Sequence, residues 1–137
     1  PHKQPIPSPR KTRGWLIRMP ALAGEFPASV QIWQLAGSDH MHVNGISKKS
    51  SETDDSVVRS ARAALTPLYD DRPCIAMPVF SSGQTAAQAA PTYQALRSPD
   101  LIFAAGGGIL AHPDGPAAGV TELHAAWDAA MSGKAPA

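Results

Sequence analysis

The sequence predicts an α/β fold in which parallel strands are joined by helices. Three observations carry that expectation. Segments of strand length alternate with stretches of helical period; Ile75 to Phe80 and Leu101 to Ala105 are continuous apolar runs of the kind buried on both faces of a sheet; and each of these runs leads into a turn rich in serine or glycine. With 137 residues and 43% hydrophobic content, the chain can bury one core. The order is one helix followed by three strand-loop-helix units, which fits either an open sheet or part of a barrel. In both architectures ligands bind beyond the carboxyl ends of the strands.

Residues 1 to 20 read as an extended Pro-rich basic tail: Pro1, Pro5, Pro7 and Pro9 alternate with Lys3, Arg10, Lys11 and Arg13, without a period of 2 or 3.6. From Ala21 onward, Phe26, Val30 and Trp33 fall at i, i+4 and i+7 with Ile32 and Leu35 beside them, predicting a helix that ends at Gly37. Asp39 to Val43 alternates and runs into Asn44-Gly45, the pattern of a short strand entering a turn. Ser47 to Ser51 is polar and reads as a loop. Asp54, Asp55 and Ser56 supply N-cap chemistry for a second helix with Val58, Ala61, Leu65 and Leu68 inward, halted near Pro67. The apolar strand from Ile75 to Phe80 contains Pro78, so it must be bulged there or unpaired on that side. Pro91 opens a third helix through Tyr93 and Leu96, and Leu101 to Ala105 gives the third strand. Val120, Leu123, Trp127 and Ala130 define a last helix between Pro116 and Gly133.

Charge and composition exclude several function classes. Five of the 12 Lys/Arg and none of the 11 acids lie in residues 1 to 24, so the rest of the chain is mildly acidic and offers no spread nucleic-acid surface. No apolar run approaches the ~18 residues of a membrane span, and a cytoplasmic location is expected. A single cysteine, Cys74, excludes an internal disulfide framework and a thiolate metal cluster. A first residue other than methionine, Pro1, leads us to expect a piece of a longer enzyme or a truncated gene product.

The three strand ends carry the chemistry. Gly106-Gly107-Gly108 lacks Cβ atoms, so its backbone N–H groups can close around an anion such as phosphate. It matches neither nucleotide-loop spacing, which disfavours a nucleotide. Ser81-Ser82-Gly83 is a second loop of the same kind one strand earlier. Two such loops after consecutive strands match the phosphate site that barrels often build. His40 and His42 lie two apart and share one strand face. With His112 they have the residue types for zinc, but no third ligand stands at motif spacing, so no metal is expected on this chain; one histidine reads as an anion donor and the other as a packed or proton-handling group. Lys49, beside Lys48, reads as a mobile cation that closes over a bound anion.

These residues resemble a family. Gly37-Ser38-Asp39-His40-Met41-His42-Val43-Asn44-Gly45 with Lys49 seven residues after His42, then Met77-Pro78-Val79-Phe80-Ser81-Ser82-Gly83-Gln84, then Gly106-Gly107-Gly108 through His112-Pro113 to Gly119, are similar to the C-terminal part of the large chain of ribulose-bisphosphate carboxylase. The departures at Val43-Asn44-Gly45, Ser82 and Gln84 place the resemblance closest to the carboxylase-like (form IV) proteins, which include enolases, isomerases and decarboxylases or transcarboxylases acting on sugar-acid derivatives. The resemblance implies a partial (β/α)8 TIM barrel, with the fifth helix and βα units six to eight spanning residues 21 to 137, and a proline in the seventh strand.

By the same resemblance, Lys49 and His40 are the candidate catalytic residues. Lys49 is the lysine of the sixth loop, closing over the reacting carboxyl group, and His40 supports the site from its strand. His42 contacts a substrate phosphate, Ser81 and Gly83 form the substrate-contacting seventh loop, and Gly106 and Gly107 form the eighth-loop phosphate nest. The implied cofactor is Mg²⁺, held in the family by a carbamylated lysine and two carboxylates on the second strand, for which this chain has no counterpart. The implied partners are a sugar-phosphate or sugar-acid substrate, the remainder of the barrel and a second copy in a homodimer. The chain alone is expected to be inactive. The activity the resemblance implies for the whole enzyme is that of a carboxylase/decarboxylase, a carbon–carbon lyase acting through an Mg²⁺-stabilised enediolate; the alternatives are a non-catalytic anion (sugar-phosphate) binding fragment, or an enolase or isomerase of the same family.

Overall fold

Alternating apolar side chains on short strands, each followed by a helix with one apolar stripe, leave these elements a single stable arrangement: the helices cover a sheet. The computed structural model describes residues 26–47, 52–70 and 74–133. The expected tail over residues 1–20, residues 21–25, and Lys48 and Lys49 lie outside the described residues. In chain order the elements are α1 (Phe26–Leu35), β1 (His40–Asn44), α2 (Asp54–Leu65), β2 (Met77–Ser81), a 3₁₀ turn (Ala86–Gln88), α3 (Ala89–Leu96), β3 (Ile102–Phe103), α4 (Gly106–Leu110) and α5 (Pro116–Ser132).

The sheet has the order β1-β2-β3 and all pairs are parallel. β1 pairs with β2 from His40 opposite Met77 to Asn44 opposite Ser81. β2 pairs with β3 only through Val79 opposite Ile102 and Phe80 opposite Phe103. Val43, Phe80, Val57 and Ala61 of α2 and Leu96 of α3 form one core cluster, so both helices cover the same face. Phe103 of β3 carries that face on to α5, where its ring meets Trp127 edge-on at 5.2 Å and 80°. A smaller cluster joins Val30 of α1, Met41, Ala64 and Ala76.

Pro78 illustrates how register settles an ambiguity. Backbone groups of successive strand residues aim to alternate sides. Met77 N–H donates to Asp39 O at 2.8 Å on the β1 side, and Phe80 O accepts from Ala104 N–H at 2.8 Å on the β3 side. Pro78 shares the side of Phe80, and β3 begins one pair above it. Its missing N–H therefore interrupts no rung, and the strand continues in regular register without a bulge.

Three expectations are corrected. α2 is capped by Thr53, whose hydroxyl accepts from Ser56 N–H at 3.3 Å, with Asp54 and Asp55 inside the first turn. Its buried stripe is Val57, Ser60, Ala61 and Ala64, one residue off the expected one, and Leu68 lies beyond its end. The third strand is two residues rather than five, and Ile102 is 40% exposed, because the ladder starts only above Pro78 and β3 has no further neighbour among the described residues. Finally, Gly106-Gly107-Gly108 is not a loop: it forms the first turn of α4.

Candidate functional site

Parallel strands end together, so the residues after β1, β2 and β3 gather along one end of the sheet. On β1, Met41 and Val43 are buried toward the helices, whereas His40, His42 and Asn44 take the opposite face by the two-residue period. His40 is exposed; His42 and Asn44 are half-buried. His42 Nδ1 lies 3.3 Å from Ser81 Oγ, and Ser81 Oγ donates to Val43 O at 3.4 Å. The hydroxyl has one proton, so with that proton on Val43 O it accepts from Nδ1–H of His42. The far ring nitrogen, Nε2, then accepts when the ring is neutral and donates when it is charged.

Three further hydrogen bonds tie this strand end to the start of α2 and the residues before it. Asn44 Nδ2 donates to Glu52 Oε2, and Ser56 Oγ donates to Glu52 Oε1 at 3.0 Å. Ser47 N–H donates to Asp54 Oδ1 at 3.0 Å. The segment after His42 is thus held at both ends by hydrogen bonds of carboxylates at the start of α2.

Beyond β2 the chain turns through two left-handed residues, Ser82 (φ 76°) and Gly83 (φ 71°). Gln84 then goes fully into the interior, and neither its amide nitrogen nor its amide oxygen has a hydrogen-bond partner. Thr85 closes the turn, donating to Gln88 Oε1 from its N–H (2.9 Å) and its hydroxyl (2.6 Å). A Cβ on Gly45 would overlap the Gln84 carboxamide, and one on Gly108 would lie 2.6 Å from Gln84 O. Both glycines are required by close approach.

Gly106 and Gly107 behave differently. They are exposed, and a Cβ on either meets nothing within 4 Å. As first-turn residues of α4 they present N–H groups without an intrahelical acceptor, the first helical bond being Ile109 N–H to Ala105 O at 2.9 Å. These donors stand on a helical turn rather than in the loop that was expected. His112 is committed elsewhere: its Nδ1 accepts from Asp114 N–H at 3.1 Å and its Nε2 lies 3.1 Å from Glu122 Oε2.

The structure therefore places Ser81, Gly83 and Gly106-Gly107 at and beyond the same ends of adjacent strands, with His42 at the middle of β1 reaching Ser81 and His40 at the start of β1; Lys49 lies outside the described residues. Among the described residues no three His, Cys, Asp or Glu side chains come together to hold a metal ion. Nor is any helix of the described residues long and apolar enough to cross a membrane. Sequence alone did not single out Glu52, and it gave no sign that Gly45 and Gly108 pack against Gln84; the polar stretch before α2 was the one signal for Glu52.

Comparison with known proteins covers most of the chain. The family described as ribulose bisphosphate carboxylase large chain, catalytic domain, matches residues 23–137. A 3-oxo-isoapionate-4-phosphate transcarboxylase/hydrolase of Xanthobacter autotrophicus is 54% identical over 94% of this chain and 31% of its own length. A 3-oxo-isoapionate-4-phosphate decarboxylase of Rhizobium rhizogenes is 44% identical over 87% of this chain and 29% of its own. The crystal structure of a rubisco-like protein from Burkholderia fungorum superimposes with a TM-score of 0.85 at 48% identity, over 92% of this chain and 31% of that one. The chain spans about a third of the length of the relatives it matches.

Proposed function

The chain belongs to the ribulose-bisphosphate carboxylase large-chain catalytic-domain family, and on that premise we propose that residues 21 to 137 supply the phosphate- and carboxyl-binding loops of a carboxylase-like carbon–carbon lyase. In this reading α1 is the fifth helix of a (β/α)8 barrel and the three βα units are the sixth to eighth, with residues 1 to 20 outside the barrel. One observation carries the reading. Strand order β1-β2-β3 never reverses, so right-handed crossovers put the helices on one face and leave the other to a barrel interior. Three units from one half of a doubly wound sheet share this order, so the choice of the barrel rests on the family as well. The polar strand ends then lie together at the mouth where barrels bind substrate.

The substrate is a phosphorylated 3-oxo sugar acid of the kind the relatives' names carry. In decarboxylation the bond from C1 to C2 breaks, its electron pair moves through C2 to the C3 oxygen, carbon dioxide leaves, and C2 later regains a proton. His42, oriented through Nδ1 by Ser81, and the Gly106 and Gly107 amides hold phosphate oxygens; Ser81 and Gly83 line the substrate. Lys49 neutralises the carboxyl group, and His40 supports His42 from the same strand face. The metal that the resemblance implies has no ligands among the described residues, so its site belongs to the remainder of the barrel. A homodimer is part of this reading. The alternative is anion binding without chemistry, and turnover separates the two.

Gly107→Asp, in the complete polypeptide that carries this chain, tests the anion site. Because a Cβ at 107 meets nothing within 4 Å, the thermal midpoint stays unchanged. Calorimetric titration with inorganic phosphate should show binding weakened by about tenfold or more through carboxylate repulsion. Unchanged phosphate affinity would overturn the assignment.

A further inference from the structure

Gln84 is the point at which the three loops touch. Its carboxamide lies where a side chain on Gly45 would otherwise project, at the start of the β1-to-α2 loop, and its carbonyl oxygen faces Gly108 in the first turn after β3. Gln84 itself follows the Ser82-Gly83 turn after β2. The contact with Gly45 extends the β1–β2 pairing past its last rung, Asn44 opposite Ser81. One residue therefore spaces the His42 end, the Ser81 end and the Gly106-Gly107 turn relative to each other.

The choice of side chain is not explained by stability. Gln84 is 0% exposed, and both amide atoms lack partners. An unmade buried hydrogen bond costs about 1–3 kcal/mol, which an apolar side chain of similar shape would avoid. Size and reach are what this position visibly supplies, since the carboxamide fills the space that the missing side chain of Gly45 leaves open. Interiors are close-packed, so a shift at such a contact moves backbone rather than being absorbed.

We propose that Gln84 is the positioning residue of the anion site, acting by shape through Gly45 and Gly108 to set the distance between the His42–Ser81 pair and the Gly106-Gly107 amides. The inference rests on the function proposed above. A Cβ at 45 expels the carboxamide from a fully buried seat, and the β1 and β2 ends separate. Misplacement of donors on this scale weakens binding steeply.

The test is a double-variant cycle in the complete polypeptide, with inorganic phosphate affinity and thermal midpoint as separate readouts. Gly45→Ala should weaken phosphate binding about tenfold, and adding Gln84→Ala should restore most of the loss, because the clash is gone. Gln84→Met, which keeps length without the amide, should hold affinity within about twofold and leave the midpoint equal or higher. A stabilised but tenfold weaker Gln84→Met would overturn the account by shape, as would a Gly45→Ala protein that folds and binds normally. A failure of Gln84→Ala to rescue overturns it too. Absence of phosphate binding in the unaltered protein would refute the proposed function and this inference with it, whereas binding insensitive to Gly45→Ala refutes this inference alone.

Discussion

Gly107 and Gly108 are neighbours in sequence with opposite tolerance for a side chain. Gly108→Ala sets a methyl 2.6 Å from Gln84 O and 3.0 Å from Thr85 Cα, backbone atoms that cannot rotate away. It should lower stability by about 1–3 kcal/mol, the usual cost of overpacking. Gly107→Ala meets open space within a helical turn and should be neutral or gain up to about 1 kcal/mol. Chemical denaturation of the two variants checks the contrast; equal effects would remove the packing account of Gly108. At this scale the sequence was legible where chemistry is local. A histidine pair two apart on one strand and a run of glycines can be recognised from residue type alone. Gly45 against Gln84 cannot, because the two lie 39 residues apart in the chain and neither carries a local signal of the contact. Glu52 escaped for a related reason, since its partner Asn44 lies across the loop.

Apart from the short α4, read as a loop, the elements were legible in type and order, and less so in length. Helical period located α1, α2, α3 and α5, while the buried stripe of α2 shifted by one because small residues, Ser60, Ala61 and Ala64, rather than the larger Val58 and Leu65, fit the close approach to the sheet. β3 was read too long because an apolar run records burial potential and says nothing about how many rungs a neighbour offers. The ladder register predicts a positional asymmetry for proline in β2. Pro78→Val should change stability by no more than about 1 kcal/mol, since no rung depends on that N–H. Val79→Pro removes a donor aimed at β1 and should cost about 1–3 kcal/mol for the orphaned acceptor alone. Thermal unfolding of both variants is the check, and equal tolerance at the two positions would contradict the register.

For the whole molecule, three parallel strands with helices packed on one face leave two edges without strand partners among the described residues. Ile102 at 40% exposure on that sheet, and Ile32 and Leu35 on α1, are apolar surface of the kind a longer barrel would cover. The purified 137-residue chain should therefore self-associate in sedimentation velocity runs and show no Mg²⁺-dependent turnover of a phosphorylated 3-oxo sugar acid. A monomer that turns over would sink the reading as part of a barrel. Closure into eight strands was not legible from the chain itself, because three units fit an open sheet locally; the family resemblance suggested it, and the non-reversing strand order supports it. The unequal ladders have a consequence for motion. Five rungs bind β1 to β2 and only two bind β2 to β3, so the sheet is graded in its resistance to local opening. The side bearing Gly106 and Gly107 can loosen while the side bearing His42 stays zipped. At the anion site proposed above, an anion gripped from both sides would act as a clasp across the weakest seam, and part of its binding free energy would appear as slower breathing of the third strand.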